Sequence, residues 1–147
     1  MTSFDSNILL YGFSRDSPFH NRARSLLEDW TPREDVAVSE LVLVEFYTLL
    51  RNPAVLARPL SAREAVEVVQ AYRRHPRWML LGFDTDSVAV HEELWSRAAE
   101  SVFGRRRVYD ARLAFTLRRQ GVTEFATANV RDFQDFGFER TWSPFDD

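Results

Sequence analysis

The sequence has 147 residues, of which 45% are hydrophobic and 14% aromatic, and this composition is typical of a folded globular protein. It contains no cysteine, which excludes disulfides, zinc–thiolate sites and thiol nucleophiles. The net charge of −3 argues against indiscriminate binding to nucleic acid. We expect a single domain over residues 1–147 and, because no signal peptide or bilayer-spanning run is evident, a cytoplasmic protein with no membrane partner.

The start of the chain predicts a short strand and two helices. The strand runs through Asp5, and Ser6 or Asn7 is expected to cap the helix that follows. Ser17 and Pro18 are expected to begin a second helix, because proline is favoured at the first helical position.

The middle of the chain predicts two strands and two helices. The segment DVAVS predicts a strand, after which Ser39 caps the helix ELVLVEFYTLLR. Ser61 and Glu64 form a capping box for the helix AREAVEVVQAYRR. The apolar segment WMLLGF predicts a buried strand.

The last third of the chain predicts two further helices and at least one strand. Asp86 begins one helix, and the helix YDARLAFTLRRQG ends at Gly121. The strand EFATAN follows, and the remainder is expected to hold a turn, a final short strand and a tail. Alternation of strands with helices indicates an α/β protein, a three-layer α/β/α sandwich with a mainly parallel sheet.

Four acidic residues occupy positions where an unpaired charge is costly. Asp5 adjoins a core strand, and helical spacing places Glu45 and Asp110 on apolar helix faces. Asp132 follows the strand EFATAN after a short turn that begins at Asn129. Taken singly, each acid is explained by a helix cap, a turn cap, a boundary position or an arginine partner.

The repetition of such acids favours a common site. The carboxyl ends of parallel strands face the crevice where ligands bind, and both Asp5 and the turn before Asp132 fall at such ends. Neighbouring carboxylates repel one another unless a cation compensates them. Hard oxygen ligands of this kind suit Mg²⁺ or Mn²⁺, so we expect a divalent metal to neutralise the four acids.

Four motifs, FDSNILLY, SELVLVEFY, VYDARLAFTLRRQGV and FATANVRDF, occur in this order over essentially the whole chain. Together they resemble the PIN-domain family, and within it the VapC-type toxin ribonucleases of toxin–antitoxin systems. The resemblance implies metal-binding roles for Asp5, Glu45 and Asp110, and it implies that Asn7 orders the site by hydrogen bonding.

The fourth acid departs from the pattern of many relatives. Where they carry an aspartate two residues after the threonine of the last motif, this chain has Asn129. Asp132, in the triplet RDF, also matches a common family pattern. We assign Asp132 as the fourth catalytic and metal-binding acid and Asn129 as an auxiliary group, which leaves the composition of a second metal site open.

The resemblance also implies an activity and partners. The activity is Mg²⁺- or Mn²⁺-dependent hydrolysis of phosphodiester bonds in single-stranded or looped RNA, with an antitoxin and a second copy of the chain as protein partners. Arg105, Arg106 and Arg107 precede Asp110 and are candidates for RNA binding, although a solvated loop explains them nearly as well.

Two other functions remain open at this stage. A catalytically silent PIN-like module that binds RNA or protein would be expected to lose one or more acids, yet three family acids are present. A phosphoacceptor α/β domain modified on Asp5 would be expected to carry a lysine near the phosphate, and this chain has no lysine.

A partner-binding surface is also predicted on the early helices. Trp30, Phe46, Tyr47 and Leu50 supply more large apolar groups than one helix face normally buries, so we expect some of them to be exposed.

Overall fold

Short parallel strands alternate with helices in the computed structural model, which describes residues 1–146. Each strand is three residues long. The strands are β1 Thr2–Phe4, β2 Ala37–Ser39, β3 Met79–Leu81, β4 Glu124–Ala126 and β5 Arg140–Trp142. The helices are α1 Ser6–Phe13, α2 His20–Trp30, α3 Glu40–Leu50, α4 Ala62–Arg73, α5 Ser87–Ala98, α6 Arg107–Arg119 and α7 Val130–Phe133.

All strand pairs in residues 1–146 are parallel. Strand β4 lies between β1 and β5, and β2 pairs with β3. A bridge between Thr2 and Val36 joins the two groups, and the Ser3 hydroxyl donates a buried hydrogen bond of 2.8 Å to the carbonyl oxygen of Ala37. The order across the molecule is therefore β3-β2-β1-β4-β5, and the carboxyl ends of the strands meet at one edge.

The helices and the sheet enclose an aromatic core. Helix α1 packs against α2 and α3, α3 packs against α4, and α6 packs against α5 and α7. The Phe4 ring in β1 lies 5.7 Å from Trp30 and 5.5 Å from Trp78, and the Phe125 ring in β4 stacks on Phe138 at 5.0 Å. The predicted α/β sandwich with a parallel sheet is confirmed.

The capping motifs in the sequence predicted several helix ends correctly. Ser39 accepts a hydrogen bond from the backbone NH of Leu41, and the reciprocal bonds of the Ser61–Glu64 capping box are both present. Gly121 has a φ of +95°, a conformation that glycine adopts without strain, and it follows the end of α6 as predicted.

Two helix starts differ from the prediction. Asp5 itself caps α1, since its Oδ1 accepts a hydrogen bond of 2.8 Å from the NH of Ser6. Helix α2 begins at His20, because the Ser17 hydroxyl accepts from the NH of Phe19 and closes a turn that leaves Pro18 outside the helix.

Burial or secondary structure differs from the prediction in three places. Among residues 1–146, strand β3 pairs only with β2, so Met79 is 51% exposed rather than buried. The expected turn after β4 contains the short helix α7. Trp30, Phe46 and Leu50 belong to the core, so the predicted apolar surface at those residues is wrong. Within residues 1–146, no helix is long and apolar enough to cross a membrane.

Candidate active site

Asp5 lies at the carboxyl end of β1 and is almost fully buried, with 7% of its surface exposed. Its Oδ1 accepts from the NH of Ser6. Its Oδ2 accepts from the Thr127 hydroxyl at 2.9 Å and from the Asn7 amide at 3.3 Å. The buried carboxylate is thus held by donors on both of its oxygens, which is how a buried polar group is tolerated.

Thr127 and Asn7 connect the ends of two neighbouring strands. Thr127 directly follows β4, and its hydroxyl also accepts from the NH of Asn129 at 3.0 Å. The side-chain oxygen of Asn7 accepts from the NH of Ala128 at 3.1 Å. An ordering role for Asn7 would act through these bonds, and that role stays a prediction. Thr127 was not predicted as a site residue. The sequence feature that could have identified it is a hydroxyl residue directly after the strand that pairs with β1.

Burial, with a smaller contribution from the negative charge of Glu45, raises the pKa of Asp5 from 3.8 to about 6. The hydrogen bond from Thr127 opposes this change by stabilising the ionised form. No arginine in residues 1–146 forms an ion pair with this carboxylate. Asp5 therefore carries a charge that the protein desolvates without a neutralising cation of its own.

Asp110 lies in the first turn of α6 and is half-buried, and the apolar side of this helix (Leu113, Ala114 and Leu117) is buried in the core. Desolvation, together with the charges of Asp5, Asp132 and Glu45, raises the pKa of Asp110 to about 6. Arg107 acts in the opposite direction. The three other candidate acids therefore lie within electrostatic range of Asp110, although they come from different elements.

Glu45 and Asp132 form the exposed side of the acidic group. The buried face of α3 is made by Val42, Leu43, Phe46 and Leu50, so the prediction that Glu45 shares the apolar face is wrong. Asp132 lies on α7, where the neighbouring Phe133 is buried and contacts the Phe125 ring at 4.8 Å. This contact holds α7 against β4 while Asp132 and Asn129 face solvent.

The donor types match a hard divalent cation better than any other group. Carboxylate oxygens are the ligands that Mg²⁺ and Mn²⁺ prefer, and a cation would offset the mutual repulsion that raises the pKa of Asp110. Across residues 1–146, however, no three histidine, aspartate or glutamate side chains stand close enough to hold a metal without rearrangement. The charges of these acids influence one another, but the side chains are not arranged as a coordination sphere. Their metal-binding roles stay predictions.

The three arginines before Asp110 do not behave alike. Arg105 and Arg106 are exposed in a turn. Arg107 is the first residue of α6, and its guanidinium lies 4.6 Å from the ring centroid of the buried Phe136. Arg107 is therefore engaged within the protein, whereas no hydrogen bond or ion pair within residues 1–146 holds the exposed side chains of the other two.

The sequence profile of the PIN domain matches residues 3–139. The chain belongs to the PIN-domain family. It is 53% identical over 144 residues to Ribonuclease VapC24 of Mycobacterium tuberculosis, an alignment that covers 98% of this chain and 97% of that protein. It is therefore a VapC-type PIN protein, as the four motifs indicated.

Solved structures support the PIN fold. VapBC2 from Rickettsia felis, crystallised with a promoter DNA fragment, matches with a TM-score of 0.67 at 14% identity and covers 97% of each chain. VapC20 of Mycobacterium tuberculosis, a toxin that cleaves the sarcin–ricin loop, matches with a TM-score of 0.62 at 19% identity. That match covers 85% of this chain and 87% of VapC20, and at such identities the likeness concerns the fold alone.

Proposed function

We propose that this VapC-type PIN protein is an endoribonuclease that hydrolyses phosphodiester bonds in single-stranded or looped RNA with the help of Mg²⁺ or Mn²⁺. Its membership of the VapC group makes it a metal-dependent ribonuclease and the toxin of a toxin–antitoxin pair. The observation that carries the proposal is that the charges of Asp5, Glu45 and Asp132 all raise the pKa of Asp110, while Asp5 has no ion-pair partner within residues 1–146.

In this proposal Asp5, Glu45, Asp110 and Asp132 are catalytic and would hold the metal, and Asn129 is an auxiliary polar group. A divalent cation bound there lowers the pKa of water and offsets the charge that grows on the phosphate oxygens. The chain's own contribution is to fix Asp5: Asn7 and Thr127 hold one of its oxygens in place, and the NH of Ser6 holds the other.

Basic residues beside Asp110 also favour an anionic substrate. Asp110 lies in the first turn of α6. The exposed Arg105 and Arg106 lie just before this turn and are the groups we assign to RNA phosphates. Such contacts release counterions, so RNA binding is expected to weaken as salt increases.

An antitoxin is the protein partner that VapC membership entails, and we propose in addition that the chain forms a homodimer and acts in the cytoplasm as a single domain. The alternative of a silent binding module gains some support from the lack of a ready coordination sphere within residues 1–146. A direct test of metal-dependent cleavage separates the two functions.

The test is Asp110→Asn, which keeps the shape of the side chain and removes its charge. Loss of one like charge is expected to leave the melting temperature of the metal-free protein in EDTA equal or higher. Mn²⁺ affinity is expected to fall, and cleavage of a single-stranded RNA is expected to fall on the order of 100-fold or more.

The matched control is Asp29→Asn, which removes an exposed charge from α2, outside the acidic group. It is expected to leave both Mn²⁺ binding and cleavage at the parent values. A folded Asp110→Asn variant that cuts RNA at the parent rate would contradict the proposed function. A parent protein that binds RNA without cutting it under Mg²⁺ or Mn²⁺ would favour the silent module.

A further inference from the structure

Arg107 occupies a specific place between the elements that carry Asp110 and Asp132. It begins α6, three residues before Asp110, and its guanidinium packs on two aromatic rings. The distance is 4.6 Å to the ring centroid of Phe136 and 5.7 Å to that of Phe103. Because Phe136 is only 1% exposed, the guanidinium is held against the core rather than released into solvent.

The same guanidinium reaches the segment that carries the fourth acid. Its Nη2 donates a hydrogen bond of 3.4 Å to the backbone carbonyl oxygen of Asp132 and lies 4.0 Å from the Asp135 carboxylate. Contact is made with the backbone of Asp132, so its side chain remains available. Arg107 thus connects the first turn of α6 to α7.

Helix α7 depends on such contacts because it has only four residues. A single helical turn does not persist without tertiary support. On one side the Phe133 ring packs against Phe125, and on the other Arg107 holds the carbonyl of Asp132. Arg97 braces the following turn, since it donates to the carbonyl of Asp135 at 2.9 Å and lies 5.6 Å from the Phe136 ring.

We propose that Arg107 is a positioning residue that sets the place of Asp132 relative to Asp110, and that it does not serve as a phosphate-binding residue for RNA. The inference rests on the proposed function, because it concerns how two of the four acids are brought to the same metal. It assigns Arg107 a different task from that of its exposed neighbours Arg105 and Arg106.

The sign of the effect on metal affinity makes the proposal testable. A guanidinium near a cation site repels the cation, so by charge alone its removal would leave Mn²⁺ affinity equal or higher. If Arg107 positions Asp132, Arg107→Met instead lowers Mn²⁺ affinity. The fall is expected to be about 10-fold, the lower end of what removing a residue behind a metal ligand costs.

The experiment titrates Mn²⁺ by electron paramagnetic resonance into the full chain and three variants, Arg107→Met, Asp132→Asn and the double variant. If Arg107 acts through Asp132, the double variant binds Mn²⁺ no more weakly than the weaker single variant. Arg131→Met is the matched control, because Arg131 is an exposed cation on α7 beside Asp132. It is expected to leave Mn²⁺ affinity equal or higher.

Two results would overturn the proposal: Mn²⁺ affinity in Arg107→Met equal to or above the parent value, or a loss that adds fully to that of Asp132→Asn. Thermal unfolding in EDTA checks that each variant is folded. If Arg107→Met is unfolded, Arg107→Gln replaces it, with the same criteria. A parent protein that binds no Mn²⁺ would refute the proposed function itself, whereas parent binding with an unaffected Arg107→Met refutes only the role of Arg107.

Discussion

Asp5 and Glu45 carry the same charge in the same acidic group, but the protein surrounds them differently. Asp5 is 7% exposed and accepts hydrogen bonds from Ser6, Asn7 and Thr127. Glu45 is exposed on α3, and its carboxylate makes no hydrogen bond to any part of the chain that the structure describes. The fold therefore fixes the buried acid through several donors and fixes the exposed acid only through its helix.

This contrast implies that substitutions affect activity and stability differently at exposed and at buried positions of the site. On the exposed side, we expect a carboxylate to serve metal binding, as proposed, and to contribute little to folding. On the buried side, the same chemical change alters both. Four measurements test this division, in order of decreasing expected effect.

The largest effect is expected for Glu45→Gln. If Glu45 is a metal ligand, cleavage of single-stranded RNA falls on the order of 100-fold or more. Because the side chain is exposed, the free energy of unfolding changes by less than about 0.5 kcal/mol. Activity is measured under Mg²⁺ and Mn²⁺, and stability is measured by urea denaturation in EDTA.

Glu67→Gln serves as the control for Glu45→Gln, because Glu67 is an exposed glutamate on the neighbouring helix α4. It should match the parent in both assays. A Glu45→Gln variant that cleaves normally would remove Glu45 from the site, and one that is strongly destabilised would contradict the division between the two sides.

The second effect concerns pH. The pKa of Asp5 is raised from 3.8 to about 6 in the folded state, so the folded protein binds more protons than the unfolded chain between these values. The contribution of Asp5 to stability therefore decreases as pH rises through this window. The buried charge of Asp5 lowers the free energy of unfolding by about 3 kcal/mol at pH 7, and this loss disappears below pH 3.8, where the carboxyl is protonated in both states.

Asp5→Asn isolates this contribution from that of other groups. The free energy of unfolding of the Asp5→Asn variant relative to the parent, both in EDTA, should rise by about 2 kcal/mol between pH 4 and pH 7. Glu45→Gln should show a much smaller shift. A difference between Asp5→Asn and the parent that does not change with pH would show that Asp5 is not desolvated as described.

The third effect concerns the network behind Asp5. Thr127→Val keeps the shape of the side chain and removes the hydroxyl that bonds Asp5, Asn7 and the NH of Asn129. Loss of this hydroxyl from the buried Asp5 carboxylate is expected to lower the free energy of unfolding by about 1–3 kcal/mol and to reduce cleavage, whereas Thr127→Ser should retain most of the stability and the activity.

Thr116→Val is the matched control, since Thr116 is also buried and its hydroxyl bonds only the helix carbonyl of Arg112. Thr116→Val should lower the free energy of unfolding by less than Thr127→Val does, and it should leave the rate of RNA cleavage unchanged. Equal losses from the two threonines would mean that the Thr127 network has no special role in holding Asp5.

The smallest effect concerns the exposed arginines. If Arg106 contacts one RNA phosphate, Arg106→Gln should make the dependence of log K for RNA on log salt less steep by about 0.7. Arg63→Gln, at an exposed position of α4, serves as the control and should leave the slope unchanged. An unchanged slope in Arg106→Gln would assign this residue to the solvated surface.

The sequence predicted the parts of the fold that depend on local signals. Ser39 and the Ser61–Glu64 pair cap helices through bonds that span two or three residues, and such bonds are visible as short motifs. Ser17 carried the same signal but closed a turn instead, because a hydroxyl bonds a nearby NH in either conformation.

Burial was harder to predict where a segment is apolar throughout. Helix α3 has apolar residues around most of its circumference, so periodicity did not identify its buried face, and Val44 proves to be 67% exposed.

The role of Thr127 was missed for another reason. Its partner Asp5 lies 122 residues away, and only the pairing of β1 with β4 brings the two together.

This separation has a consequence for how the activity appears during synthesis. The backbone NH of Asp5 bonds the carbonyl of Ala126, and the Thr127 hydroxyl completes the setting of the carboxylate, so Asp5 cannot reach its final place until β4 has been made. Contacts between such distant segments also form late, because a long loop must close first. A growing chain on the ribosome therefore carries Asp5 well before the strand that completes its setting, and we expect no working nuclease until translation has passed Thr127. Partial chains released before that point would be harmless to the RNA around them.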